Sequence, residues 1–165
     1  VGTLKPNKNV EFAVRAFEAL GGDHKLVVVG GTDPSVFRDI APTSKGNLIF
    51  PGRLTDEEIA GLQRRAVAFV FPSLYEGFGI PPLEAMTQGC PVLAADIPPV
   101  REACGDAVRY FDPLKTETLV EAMRTISADA PLRRELTQAG HDNAKRFSWD
   151  GSAVVLLNML AAQRA

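Results

Sequence analysis

The chain has 165 residues, 45% of them hydrophobic and 23% charged, with a formal net charge of −2. That length fits one domain with a substantial core, and the composition is that of a globular protein. The slight negative charge argues against a nucleic-acid binder held by phosphate contacts.

Taken in order, helical and strand patterns alternate, which predicts an α/β fold: a Rossmann-like parallel sheet with helices on both faces. Val1-Gly2-Thr3-Leu4 reads as a first strand, already under way where the sequence begins. Val10, Ala13, Val14, Phe17 and Leu20 recur at helical spacing, and Gly21-Gly22 ends that helix. Lys25–Val29 reads as a buried strand. Asp33-Pro34 reads as an N-cap with Pro at N1, predicting a short helix over Ser35–Ile40. Asn47–Phe50 is the third strand, and Thr55 with Glu58 forms a capping box opening a helix to about Ala66. Val67–Phe71 and Pro91–Ala95 are short apolar strands, a short helix is expected near Val100–Ala103, and Ala107–Phe111 is the last strand. From Thr116 the pattern is helical only: one helix to about Ala128, a second from about Ala130 to Arg146, and a third capped by Ser148. Trp149 is expected to anchor that third helix by packing. Without a repeat or linker, residues 1–165 are expected to form a single domain.

Cys90 and Cys104 make no disulfide framework, which points to a reduced, cytoplasmic setting, with Cys90 a small core filler. No apolar run approaches the length of a membrane span, and no signal peptide opens the chain.

The chemistry concentrates between the fourth and fifth strands, in Pro-Ser-Leu-Tyr-Glu-Gly-Phe-Gly-Ile-Pro-Pro-Leu-Glu-Ala-Met-Thr-Gln-Gly-Cys-Pro-Val, residues 72–92. Gly77 and Gly79 allow backbone angles closed to other residues and let a ligand approach. Prolines are favoured at a helix start, and the remaining N–H groups at Gly79, Ile80, Leu83 and Glu84 are expected at the positive end of the helix dipole, a ready anion site. Pro81 and Pro82 remove two donors and keep Glu76 and Glu84 off one continuous helix. Glu84 is expected in the first helical turn, where an acid alone is more often simple dipole compensation; a Gly-x-Gly after a strand is by itself only a turn.

The whole string, with its spacing, its glycines, Leu-Glu-Ala-Met and Gly-x-Pro-Val in order, resembles the glutamate-seven-residues-glutamate motif of GT-B glycosyltransferases of family 4, also called glycosyltransferases group 1. The resemblance spans essentially the whole chain and implies the C-terminal, nucleotide-sugar-binding half of a GT-B fold, ending in a helix that packs back on the other half. It implies that Glu76 lies by the donor sugar, that the Gly77-Phe78-Gly79 backbone, with Ile80 and Leu83 behind it, lies by the diphosphate and sugar, and that Glu84 binds the ribose hydroxyls. The loop Thr3-Leu4-Lys5-Pro6-Asn7-Lys8-Asn9 resembles the family's first phosphate loop, with Lys8 on the diphosphate; strand C-terminal ends are where open α/β sheets bind ligands. Many members carry an Arg where this chain has Thr3 or Asn7, so one cation is missing, and Lys5 or Arg53 could replace it. Gly52-Arg53-Leu54 resembles the loop whose backbone lies against the base. For Arg53, stacking on the base and a plain surface position are equally open.

By resemblance the reaction is sugar transfer from a nucleoside-diphosphate sugar to an acceptor with retention, with Glu76 and Lys8 the catalytic candidates and a front-face route in place of a protein nucleophile. No Asp-x-Asp occurs, so neither a metal nor any cofactor beyond the donor is expected; His24 and His141 stand alone and take no role. The donor is a nucleoside-diphosphate sugar, with a GDP-sugar preferred from the mannosyltransferase-like wording of residues 2–9. The acceptor, a saccharide or lipid-linked glycan, would be held by an N-terminal domain not in this sequence, so the isolated domain is expected to be inactive. The full-length protein is expected in the cytoplasm or peripherally at the inner face of the membrane. A nucleotide-sugar epimerase of the same fold and a non-catalytic nucleotide-sugar-binding module are the competing readings.

Overall fold

The computed structural model describes residues 2–3, 5–31 and 46–162; the helix expected over Ser35–Ile40 lies outside them. Among these residues there are six strands, interspersed with helices: β1 Gly2–Thr3, α1 Val10–Leu20, β2 Leu26–Gly31, β3 Leu48–Gly52, α2 Asp56–Gln63, β4 Phe69–Phe71, α3 Ile80–Thr87, β5 Val92–Ala95, α4 Pro98–Cys104 and β6 Arg109–Phe111. Three helices close the chain: α5 Thr116–Ala128, α6 Ala130–Ala144 and α7 Trp149–Ala162. A 3-10 turn over Pro6–Lys8 stands between β1 and α1.

Every strand pair is parallel. Among the described residues the ladders form two three-stranded sheets, β1-β2-β3 and β4-β5-β6, rather than one continuous sheet. The central strand β5 is buried at all four positions, Val92, Leu93, Ala94 and Ala95, because helices cover both its faces. The strand expected over Lys25–Val29 is only partly buried, at Val29 and Gly30. Its ladder with β3 shifts register between Val27 and Val29, opposite a segment containing Pro51, which has no N–H to give.

One core holds the second sheet and its helices together. Met86, Leu93, Leu119 and Ile126 are essentially sealed from solvent, each worth about 1.5–3 kcal/mol over an exposed position. α1 presents Ala13, Ala16 and Phe17 to this core, and Phe12 stacks on Phe111 at 6.0 Å. α3 lies directly on α6. A Cβ on Gly140 would stand 3.0 Å from Met86 Cγ, so only glycine permits that approach. The buried Asn143 on α6 donates through Nδ2 to Ala103 O on α4 at 2.9 Å.

Two ends differ from expectation. α2 has both halves of its capping box, Thr55 accepting from Glu58 N and Glu58 accepting from Thr55 N, but it stops at Gln63. α7 begins where Ser148 Oγ accepts from Gly151 N at 3.0 Å, yet all fourteen of its residues are exposed. Trp149 is therefore no packing anchor here: it is 83% exposed. α7 is apolar around most of its girth, so its hydrophobic side chains find nothing to bury against among the described residues.

Candidate functional site

Parallel pairing places strand C-termini on one side of each sheet, and three loops that leave those ends are stitched together. Leu74 N donates to Asn7 O at 2.8 Å, and Asn7 Nδ2 donates to Tyr75 O at 3.3 Å, tying the loop after β4 to the loop after β1. Asn9 Nδ2 donates to Pro113 O at 3.0 Å, tying the same loop to the one after β6. Asn9 has φ +52°, and Asn tolerates that left-handed conformation better than most side chains. Asn7 was expected only as the place of a missing arginine, and Asn9 was given no role. The signal for them was Pro-Asn-Lys-Asn itself, a turn composition just ahead of a helix.

This stitching brings Lys8 and Glu76 together. Lys8 Nζ donates to Glu76 Oε1 at 2.7 Å, with the two side chains 23% and 14% exposed. The Lys8 ammonium also lies 5.9 Å from the centre of the Phe71 ring, within reach of a cation–π attraction. Residues 68 apart in sequence thus form a half-buried ion pair at the strand ends.

Gly77, Phe78, Gly79 and Ile80 follow directly. Gly79 caps α3 with φ +112°, a backbone shape that favours glycine, although a Cβ there would meet Val100 Cγ2 only at an ordinary 3.6 Å. Gly77 has no positive φ and faces open space, so its backbone freedom is not what the fold uses. Phe78 packs edge-on against Phe147 at 5.5 Å, which fixes the loop to the end of α6.

α3 starts earlier than expected, at Ile80, with Pro81 and Pro82 in its first turn. Two corrections follow. Glu84 is the fifth helical residue, beyond the first turn, and it is exposed, with no partner for its carboxylate among the described residues. The fourth and fifth helical N–H groups, those of Leu83 and Glu84, point back along the helix to the carbonyls of Gly79 and Ile80. The donors left for an anion on α3 are therefore the amides of Gly79 and Ile80. Leu83 is buried and serves the core.

Thr3 ends β1, paired with Gly31. Arg53 is exposed just past β3 and crosses β2's end, its Nε 3.8 Å from where a Cβ on Gly31 would be; Leu54 beside it is half-buried. Among the described residues no hydrogen bond or ion pair joins Arg53, Leu54 or Glu84 to the Lys8–Glu76 pair. A hollow of about 430 Å3 reaches from Lys8 and Ser73 down between β2 and β4. Below its rim it is lined by Val27, Val29, Phe69 and Ile126, a lining suited to apolar packing and not to a diphosphate. Among the described residues no group of three His, Cys, Asp or Glu could hold a metal ion, and no helix is long and apolar enough to cross a membrane.

Residues 1–143 match the family described as glycosyl transferases group 1. The O-antigen chain mannosyltransferase B of Escherichia coli is 31% identical over 166 residues, covering 96% of this chain and 44% of the relative. Sucrose-phosphate synthase from Thermosynechococcus elongatus superposes with a TM-score of 0.86 at 27% identity, over 99% of this chain and 44% of that one. HepE from Anabaena, solved with UDP and glucose, superposes with a TM-score of 0.87 at 19% identity over 98% of this chain and 47% of that one, a likeness of fold. This chain thus spans less than half the length of these proteins, and it belongs to the group 1 glycosyltransferase family.

Proposed function

We propose that the chain is the donor-binding half of a retaining, metal-independent hexosyltransferase that uses a nucleoside-diphosphate sugar. The observation that carries this reading is the Lys8–Glu76 ion pair at the strand ends, whose Glu76 stands three residues before the Gly79 cap of α3 within the family's own motif.

In this reading the donor's diphosphate lies against Lys8 and the α3 N-terminus. The departing diphosphate is the charge that must be stabilised, and a cation about 4 Å from an anion contributes roughly 4 kcal/mol at an effective dielectric of 20. The Gly79 and Ile80 amides add oriented dipoles without needing to reorganise. Glu76 faces the sugar, and no protein nucleophile is invoked. Glu84, free of other partners, is available to accept from the ribose hydroxyls. Arg53 and Leu54 border the base, and Arg53 or Lys5 supplies the charge that Thr3 and Asn7 do not. A mannosyl donor, hence a GDP-sugar, is favoured by the mannosyltransferase relative.

The exposed α7 supports a second half of the protein. We assign to an N-terminal lobe both the covering of α7 and the binding of the acceptor, a saccharide or lipid-linked glycan. The whole enzyme would then work in the cytoplasm, where nucleotide sugars are the donors, or at the membrane's inner face.

The test is a pair of titrations of this chain. Lys8→Ala weakens UDP or GDP at least 10-fold more than uridine or guanosine, as loss of a charge-assisted contact to phosphate requires (about 1.4 kcal/mol per tenfold). Equal losses for nucleotide and nucleoside would place Lys8 away from the phosphates.

A further inference from the structure

Lys8 is not a free cation. Its ammonium is matched at 2.7 Å by Glu76, and both side chains are largely shielded from water, so salt screens this pair less than a surface one. The pair is also built in. Leu74 and Tyr75, the residues just before Glu76, are hydrogen-bonded to Asn7, the residue just before Lys8. The Phe71 ring lies beside the ammonium as well. Thr3 and Asn7 in the same loop are neutral, and among the described residues no ion pair joins the exposed Lys5 to Glu76. A diphosphate drawn to Lys8 must therefore meet a carboxylate already seated there.

We propose that Glu76 and the nucleoside diphosphate compete for the Lys8 ammonium, so that Glu76 sets how readily the diphosphate product leaves. The inference rests on the donor-site reading above and adds a task for Glu76. While the sugar is attached, its hydroxyls give the displaced carboxylate new donors, and the exchange of partners is nearly balanced. Once the sugar has been transferred those donors are gone. The carboxylate then faces the phosphates across a short gap, and reclaiming Lys8 expels the product. The site consequently prefers the intact nucleotide sugar over the bare nucleoside diphosphate.

Calorimetry on Glu76→Gln tests this, with UDP, GDP, uridine and guanosine as probes and the thermal midpoint recorded for each variant. Gln keeps the size and gives up the charge. The expected result is a tightening of about 3- to 30-fold for the nucleoside diphosphate, the range spanned by the coupling of a partly buried charge pair, with the parent nucleoside unchanged. The preference for nucleotide sugar over nucleoside diphosphate should shrink alongside. Unchanged or weaker nucleoside-diphosphate binding by Glu76→Gln overturns the competition. The wild-type chain gives a second reading that requires no variant: the Glu76 carboxyl carbon resonance should move on adding UDP or GDP and stay on adding uridine or guanosine. A resonance indifferent to the bound diphosphate also overturns it. If Lys8→Ala weakens the diphosphate but Glu76→Gln does not tighten it, only the competition falls; if the wild type holds the diphosphate no better than the nucleoside, the donor-site reading falls with it.

Discussion

At the scale of single residues, Glu84 shows how the site divides between chemistry and scaffold. Beyond the first turn of α3 and exposed, it has little dipole to compensate, so Glu84→Gln should alter stability by less than ~0.3 kcal/mol. If its carboxylate accepts ribose hydroxyls, the same change should weaken nucleotide binding by about 1–3 kcal/mol, roughly 5- to 150-fold. Measuring thermal stability and affinity on one sample separates the two roles, and a 2′-deoxy nucleotide should be penalised by the wild type much more than by the variant. The cysteines make an opposite case. Burial pushes both the Cys90 and Cys104 thiols up to about 11, so each stays protonated at neutral pH. Neither should react with a disulfide reagent at pH 8 until the chain unfolds; prompt labelling of the native chain would contradict their burial. Lys8, Glu76 and the glycines were legible in the sequence because a motif fixes their types and order. Asn7 and Asn9 were not, because what they do depends on carbonyls at Tyr75 and Pro113, far along the chain.

At the scale of elements, local signals and tertiary packing contributed unequally. The α2 start was readable because a capping box is a purely local exchange of two hydrogen bonds, and Thr55→Ala should cost about 1 kcal/mol. Glu84 was expected in the first turn of α3, whereas the helix already begins at Ile80, with both prolines inside that turn, which has no need of their N–H groups. Gly79, with its left-handed backbone, is what ends the loop and admits the helix at Ile80. Gly79→Ala should therefore lower both the thermal midpoint and nucleotide affinity, because the left-handed φ of +112° strains any other side chain in the turn that carries the Gly79 and Ile80 amides. Gly140→Ala should lower the midpoint by a similar amount through the Met86 contact while leaving affinity within about twofold, as expected for a packing defect remote from the ligand. Circular dichroism melts paired with titrations of both variants check this. Equal effects on affinity would mean that α3 is not held where the ligand meets it. The alternation of strands and helices predicted the parallel pairing. The division into two ladders could not be read, because register between distant strands is decided by packing and by devices such as Pro51.

At the scale of the whole molecule, the exposed apolar α7 and the greater length of the relatives both support the proposal that the chain supplies one wall of a two-walled site. Its helical pattern was legible, but Trp149 was read as an anchor because a sequence does not say whether the partner of an apolar face lies within the chain. Alone, the chain should bind nucleotide sugar without turning it over onto an acceptor. Joined to its N-terminal half, it should bury Trp149, seen as a blue shift of tryptophan emission. Binding by the isolated chain should be the same with a chelator as without it. The most direct test of the central claim is the amide NMR spectrum of the chain, titrated with UDP and GDP in chelator. Saturable shifts are expected at Lys8, Gly77, Phe78, Gly79 and Ile80 for at least one of the two, with Arg65, Thr137 and Gln138, which line a groove at the opposite ends of β4 and β5, unmoved. Shifts centred on that far groove, or no saturable shift with either nucleotide, would contradict it.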